Sequence, residues 1–251
     1  MNNILFFVTI SATLLLPQSS ANAYAECPKH EEVEKPRPEL FVFVGKKVSI
    51  EYFNPNESLE QPKQDGSEEC QVEYIVLDAG FKAKYKVIKP VFGNVSSKYI
   101  NFKFYTHWGE VQLPKGKNTL LFIHHWPNKN VSAKYLYHDV QKTYDGNWGI
   151  CGDPYFIPPE KINSKRPDHY AFRKPPSKLK FIKKTHKIPK WVENEYINEM
   201  YPTQYFKVKG RKAKCQGYGY LVEELFEIEK KGAWQLAWLF TDPNEANSNA
   251  Q

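Results

Sequence analysis

The sequence predicts a mainly β protein in which antiparallel strands are followed by a short helix and a β-hairpin. Aromatic residues make up 15% of the 251 positions, and aromatic rings suit a pleated, half-buried surface. Runs of alternating polar and apolar residues recur between positions 40 and 151 with short connections, which favour antiparallel pairing. With 41% hydrophobic residues, 13 glycines and 18 prolines, the composition excludes collagen-like, coiled-coil, wholly disordered and polytopic membrane classes.

The first residues have the features of a secretory signal peptide. An apolar run covers residues 4–16 and small residues follow at 21–23, as the hydrophobic region and cleavage site do in a signal peptide. The run is shorter than the roughly 20 residues of a membrane span, although no Lys or Arg precedes it. We expect a signal peptide at 1–23, cleaved after Ala23 or after Ala25, a mature chain without a transmembrane span, and a periplasmic or secreted location.

A first module is expected at 24–157, beginning with a long strand at 40–52. Gly45 interrupts this strand, and a glycine inside a strand pattern indicates a bulge. The residues at 54–73 are acidic and rich in turn formers, which predicts an exposed loop.

The next two strands form a predicted hairpin around positions 93–94. In the first strand Lys82, Lys84 and Lys86 alternate with apolar residues, which gives one basic and one apolar face. In the second strand apolar residues alternate with polar ones over 100–104.

Two further strands and a tight turn complete this module. Residues 118–123 form a short apolar run, typical of a strand buried on both faces. A strand is also expected at 135–140, and Asp145-Gly146 predicts a tight turn before Trp148. Together these signals predict five or more strands in the first module.

Residues 158–190 form a predicted basic, proline-rich strap. From 161 to 190 there are eleven Lys or Arg residues and one acidic residue, Asp168. This stretch carries +10, and the rest of the mature chain −3, of the total charge of +7. Its cations and interleaved aromatic rings suit a polyanion such as nucleic acid, lipopolysaccharide phosphate or anionic lipid headgroups, and a solvated connector is the alternative. The candidate contacts are Lys165, Arg166, Arg173, Lys174, Lys178, Lys180, Lys183, Lys184 and Lys187.

The region 191–241 is expected to pack on the first module as a helix plus a β-hairpin. Val192, Tyr196 and Met200 recur every four positions and predict a short amphipathic helix that ends at Pro202.

The hairpin is predicted from two runs at the end of the chain. It covers 220–229 and 233–241, and alternate residues of the second run are large and apolar. The polar residues 242–251 are expected to form a disordered tail.

The sequence contains four cysteines: Cys27, Cys70, Cys151 and Cys215. An even number of cysteines in an exported protein predicts two disulfides. No two of them have the spacing of a CxxC metal or redox motif. Three connectivities are open. We favour Cys70–Cys151 with Cys27–Cys215, and free reactive thiols are the alternative.

The stretch 40–151 resembles the netrin-like, or tissue-inhibitor-of-metalloproteinase-like, form of the OB fold. The resemblance is carried by FVFVGKKVSIEY at 41–52, FKAKYKVIKPVFGNVSSKYINFKFY at 81–105 and NTLLFI at 118–123. It implies an OB-like barrel and, as a function, protease inhibition. These inhibitors begin with a zinc-binding cysteine, whereas Cys27 lies after the expected mature start. The whole chain also resembles uncharacterised exported proteins of Gram-negative bacteria.

Histidines are the candidates for catalysis or metal binding, and the first module contains His107, His124, His125 and His138. His124 and His125 are adjacent on a predicted strand and point to opposite faces, so at most one of them can share a site with the other histidines. The sequence has no HExxH, GxSxG or SxxK motif. We therefore expect no catalytic residue, no metal site and no cofactor.

The function most strongly indicated is that of an exported, non-catalytic binding or interaction protein. Its expected partner is a protein or an anionic envelope polymer, with nucleic acid as a further option. The alternatives are a protease-inhibitor-like module and an enzyme with a non-standard site around His107, His124 or His138.

Overall fold

Five strands close into a barrel in the computed structural model, which describes residues 36–58, 76–107, 118–163, 167–183, 185–190 and 192–240. The strands are β1 (Glu39–Phe53), β2 (Ala79–Phe92), β3 (Tyr99–Thr106), β4 (Asn118–Trp126) and β5 (Lys129–Asp139). Their order around the barrel is β1-β2-β3-β5-β4. All neighbours are antiparallel except β3 and β5, which pair in parallel. The predicted mainly β, OB-like barrel is confirmed.

Two layers of side chains hold the barrel in place, because neighbouring residues on a strand point to opposite faces. Residues 40–44 of β1 and 120–123 of β4 are buried throughout, as predicted for 118–123. One set of these side chains packs with β2 and β3 inside the barrel. The other set packs outward against the C-terminal region. The predicted bulge is present as a register shift at Gly45, where a Cβ would lie 2.9 Å from the Phe43 ring.

The strap contributes strands to two smaller sheets. Their strands are β6 (Gln141–Lys142), β7 (Trp148–Cys151), β8 (Ser177–Lys178), β9 (Thr185–Lys187), β10 (Phe206–Lys209), β11 (Lys212–Cys215) and β12 (Tyr218–Leu221). The first sheet has the order β6-β7-β12-β8 and the second the order β10-β11-β9. The predicted turn at Asp145-Gly146 joins β6 to β7, and Gly146 has a φ of +88°.

The predicted helix after the strap is much shorter than its sequence pattern. A 3-10 turn at Asn194–Tyr196 leads into α1 (Ile197–Met200). Ile197 is buried, whereas Tyr196 and Met200 are 48% and 45% exposed. A helix of a single turn has no continuous apolar face. The four-residue spacing of Val192, Tyr196 and Met200 therefore does not identify the buried residues of this segment.

The C-terminal hairpin prediction is wrong, because these residues form α2 (Val222–Gly232) and α3 (Trp234–Phe240). Buried α2 residues fall on one helical face. The Glu224 side chain accepts a hydrogen bond of 2.7 Å from the Leu221 N–H and so caps the helix. Acidic residues begin α2 and Lys230 and Lys231 end it, which suits the helix dipole. In α3 only Leu236 is buried, so its alternating apolar residues do not mark a strand.

Several predicted segments lie outside the described residues. These are the signal peptide 1–23, most of the loop 54–73 and the tail 242–251. Residues 55–58 of the loop form a 3-10 turn. Among the described helices, none has the length and apolar character needed to cross a membrane.

Alkaline pH is expected to destabilise the barrel through Tyr85. This side chain is fully buried on β2, and burial raises the pKa of Tyr85 from 10.0 to about 12. Above pH 10 the unfolded chain releases this proton first, so the free energy of unfolding falls by about 1 kcal/mol per pH unit up to pH 12. Urea unfolding at about pH 9 and pH 11 measures the effect, and the variant Tyr85→Phe should show a smaller loss. Equal losses in both proteins would contradict this assignment.

Candidate functional site

The observed disulfide joins Cys151, at the end of β7, to Cys215, at the end of β11. Their Cα atoms are 6.1 Å apart, within the usual range for a disulfide. The predicted pairs Cys70–Cys151 and Cys27–Cys215 are therefore wrong. Spacing along the chain did not reveal that the ends of β7 and β11 meet. Cys27 and Cys70 lie outside the described residues.

The nine candidate cations of the strap have different surroundings. Lys165, Arg166 and Lys184 lie outside the described residues. Arg173 is half-buried and lies in a network of ion pairs. The remaining five are exposed: Lys174, Lys178, Lys180, Lys183 and Lys187.

Arg173 supports the fold and is not available to a polyanion. Its guanidinium contacts Asp153 at 2.8 Å and Asp168 at 2.9 Å, and its side chain is 10% exposed. It also donates to the backbone carbonyls of Tyr155 and Tyr170. Burial alone would lower the pKa of Arg173, but the hydrogen bonds to the two carboxylates raise it. The charge of this cation is therefore compensated within the protein.

The second small sheet presents a surface of lysines, which we call the lysine face. On an antiparallel sheet, residues in register lie on the same side. Lys212 is in register with Lys187 on one neighbouring strand and with Lys209 on the other. In the next row Lys214 lies between Thr185 and Lys207. The lysine face comprises Thr185, Lys187, Lys207, Lys209, Lys212 and Lys214, all of them exposed.

The reverse side of this sheet is packed, so the lysines have a fixed backbone beneath them. Phe206, Ala213 and Cys215 are buried there, and the Cys215 disulfide ties the sheet to β7. Arg211 in the β10–β11 turn donates hydrogen bonds to the carbonyls of Pro189 and Val192. These contacts hold the end of the strap against the hairpin formed by β10 and β11.

The lysine face carries uncompensated charge. Like charges directly opposite each other on a sheet are destabilising, yet lysines face lysines in both rows. Among the described residues, no ion pair includes any of the five lysines of this face. Of these five lysines, only Lys187 is among the contacts predicted from the sequence; the four lysines of β10 and β11 are not. Their signal was the pattern KVKGRKAK at 207–214, in which lysine alternates with small or apolar residues on both sides of a glycine.

A groove of about 470 Å³ lies on the outside of the barrel, and we call it the barrel groove. It runs across β1, β2 and β3 to the turn between β4 and β5. Lys82 and Lys84, from the predicted basic face, line it together with Lys103 and Lys129. Lys86 is exposed but is not part of the lining.

His107 belongs to a small polar cluster at the surface of the barrel. Its Nδ1 contacts the Asp78 carboxylate, and Lys134 Nζ lies 2.6 Å from that carboxylate and 3.3 Å from His107 Nε2. Asp78 and Lys134 also line a cavity of about 480 Å³. The next residue, Tyr135, has a φ of +62°, a conformation that is strained for a residue with a side chain.

His138 lies in a different, buried network centred on Glu229 of α2. Glu229 is 1% exposed. It is 2.7 Å from His138 Nε2, and it accepts hydrogen bonds from the Tyr155 and Tyr170 hydroxyls at 2.8 and 3.1 Å. Burial, together with the charge of Glu229, raises the pKa of Tyr155. Because all these polar groups have partners, the network ties the strap and α2 to the barrel.

The remaining two barrel histidines point to opposite sides, as predicted. His125 stacks on Phe41 at 4.3 Å, whereas His124 makes edge contacts with Trp126 and Trp238. Burial lowers the pKa of His124. The structure therefore places His107, His124 and His138 in three separate environments. Within the described part of the chain, no group of three or more His, Cys, Asp or Glu residues is arranged to hold a metal ion.

Comparisons with known proteins found no matching family model, no matching curated protein and no matching solved structure. A functional interpretation of this chain consequently rests on its own residues and their arrangement.

Proposed function

We propose that this protein is an exported, non-catalytic binding protein whose lysine face binds an anionic polymer. The supporting observation is the register of β9, β11 and β10, which sets five lysines side by side. Within the part of the chain that the structure describes, none of these lysines forms an ion pair with an acidic side chain. A polyanion would replace their mutual repulsion by attraction and would release its own counterions.

The composition of the lysine face favours an anionic polymer over a folded protein as the binding partner. Protein interfaces have an apolar or aromatic centre surrounded by a polar rim. The outward positions of this sheet hold only lysine and Thr185. Such a surface can neutralise a row of phosphate or sulfate groups, but it offers no apolar anchor.

Export is part of this proposal and is supported by two features of the chain. The apolar run and small residues at 4–23 have the pattern of a signal peptide. The disulfide Cys151–Cys215 would persist in an oxidising compartment. An anionic envelope polymer is the partner class that would be met there.

Replacing Lys187, Lys212 and Lys214 with alanine is expected to weaken binding of long-chain polyphosphate strongly. If five lysines contact a strand with the counterion density of single-stranded nucleic acid, affinity should fall about 100-fold between 50 and 200 mM salt. The triple variant should lose most of this salt dependence. Calorimetric titration at several salt concentrations measures both effects.

The matched control is the triple variant Lys47→Ala, Lys98→Ala and Lys231→Ala, which removes the same charge from three other exposed positions. It should bind polyphosphate nearly as tightly as the parent protein. Equal losses in the two triple variants would mean that only net charge matters, and the lysine face would then not be a site. Polyphosphate binding that survives in the Lys187, Lys212 and Lys214 variant would also contradict the proposal.

The other two predicted functions gain no support from a specific contact. The inhibitor hypothesis depends on Cys27, which lies outside the described residues. The enzyme hypothesis depends on histidines that the fold keeps in separate environments.

A further inference from the structure

The barrel groove differs chemically from the lysine face because amides and cations line it together. Two rows of side chains cross the strands in register on the outer surface of the barrel, Ser49–Lys84–Asn101 and Glu51–Lys82–Lys103. Asn128 in the turn between β4 and β5, with Lys129 and Asn130 at the start of β5, closes one side. The groove therefore combines four ammonium groups, one carboxylate and three carboxamides.

Aromatic rings hold the groove lysines in position. Each ammonium lies about 5 Å from the centre of a ring: Lys82 at 5.5 Å and Lys103 at 5.1 Å from Phe53, Lys84 at 5.2 Å from Tyr99, and Lys129 at 4.7 Å from Trp126. A lysine held over a ring loses less side-chain entropy when it binds an anion, so the cations of the groove are preorganised.

The same contacts argue against single-stranded nucleic acid as the ligand. Proteins bind single strands by stacking bases on exposed aromatic faces. Here the ammonium groups of lysines lie over the rings of Phe53, Tyr99 and Trp126. A base would have to displace these cations before it could stack.

The amide groups indicate a ligand that has hydroxyl groups as well as negative charge. A carboxamide can both donate and accept a hydrogen bond, as a sugar hydroxyl requires. Asn130 is held in place because its Nδ2 donates to the Asn101 carbonyl at 2.8 Å and its Oδ1 lies 2.7 Å from His125 Nδ1. Glu51 adds an acceptor for a hydroxyl, and the ionised groups of the groove sum to +3.

We infer that the barrel groove binds an acidic saccharide chain, with its lysines on carboxylate or sulfate groups and its asparagines on hydroxyls. This site is separate from the lysine face, has a different ligand chemistry and rests on different residues, so it stands whether or not polyphosphate binds. The acidic group can come from a uronic acid or from a sulfate ester, and the test has an arm for each.

The test is calorimetric titration of the full mature protein with oligogalacturonate, with a heparin oligosaccharide and with neutral maltooligosaccharide. At least one acidic ligand should bind, and the neutral one should bind more than about tenfold more weakly, because only an acidic ligand can form charge-assisted hydrogen bonds with the groove lysines. The double variant Lys82→Ala with Lys103→Ala should lose more than about tenfold in affinity. Asn101→Ala with Asn128→Ala should weaken the saccharide and leave polyphosphate binding unchanged.

Two controls separate this site from the lysine face and from general charge. The variant Lys46→Ala with Lys86→Ala removes two lysines that are in register on β1 and β2 outside the groove, and it should bind the saccharide normally. The variant Lys187→Ala, Lys212→Ala and Lys214→Ala should also bind the saccharide normally. The inference is overturned if neither acidic saccharide binds, if the neutral one binds equally well, or if the groove variants, folded by circular dichroism, keep the parent affinity.

Discussion

Replacing Arg173 with alanine is expected to lower the free energy of unfolding by about 3–5 kcal/mol, because it leaves buried charges without a partner. Asp153 and Asp168 have side chains that are 5% and 17% exposed, and both point at the same guanidinium. The backbone carbonyls of Tyr155 and Tyr170 would also lose a donor. Urea unfolding of the variant and the parent protein measures this loss.

Lys174 provides the matched control for Arg173. It is the next residue along the strap and is exposed, so Lys174→Ala should change stability by less than about 0.5 kcal/mol. Arg173→Lys should recover only part of the loss, since a lysine cannot bind two carboxylates with a planar fork. If Arg173→Ala were as stable as the parent protein but bound polyphosphate more weakly, Arg173 would be a ligand contact after all.

Removing the disulfide by the double substitution Cys151→Ala and Cys215→Ala is expected to cost about 4 kcal/mol. The two cysteines are 64 positions apart, and a cross-link over a loop of this size restricts the unfolded chain by about that amount. Both side chains are buried, so the lost packing adds to the effect. Thermal unfolding of the double variant, with and without reductant, measures it.

The disulfide variant also tests how the lysine face is held in place. Cys215 ends β11 and connects that strand to β7. Without this link, the repulsion between facing lysines should loosen the hairpin first, so the backbone amides of β10 and β11 should exchange hydrogen faster than those of β1 and β4. A double variant with unchanged stability and uniform exchange would contradict the structural role given to this bond.

The barrel could be predicted from the sequence because its signals are local. The alternation of Lys82, Lys84 and Lys86 with apolar residues places one face of β2 in water, wherever its neighbours lie. The apolar run at 118–123 and the turn at Asp145-Gly146 are equally short-range. These features depend on side-chain direction and backbone conformation within a few residues.

At the C-terminus, the local sequence pattern could not distinguish a β-hairpin from helices. Large apolar residues occupy every second position of α3 from 234 to 240, as in a strand, yet Trp234 is 74% exposed and Leu236 is buried. The choice between strand and helix was made by packing of α2 and α3 on the outer side of the barrel. Burial against another element outweighs a local pattern of seven residues.

The sequence by itself determined the mainly β class, the positions of the barrel strands β1 to β4 and a region rich in positive charge. The predicted strand at 135–140 covered only the second half of β5, which begins at Lys129. The tertiary structure decided which of those charges are free: it buried Arg173 between two carboxylates and set Lys187 beside Lys212. It also paired Cys151 with Cys215. The physical reason is that strand formation is governed by neighbours along the chain, whereas partners of charges and thiols are chosen by contacts between strands far apart in sequence.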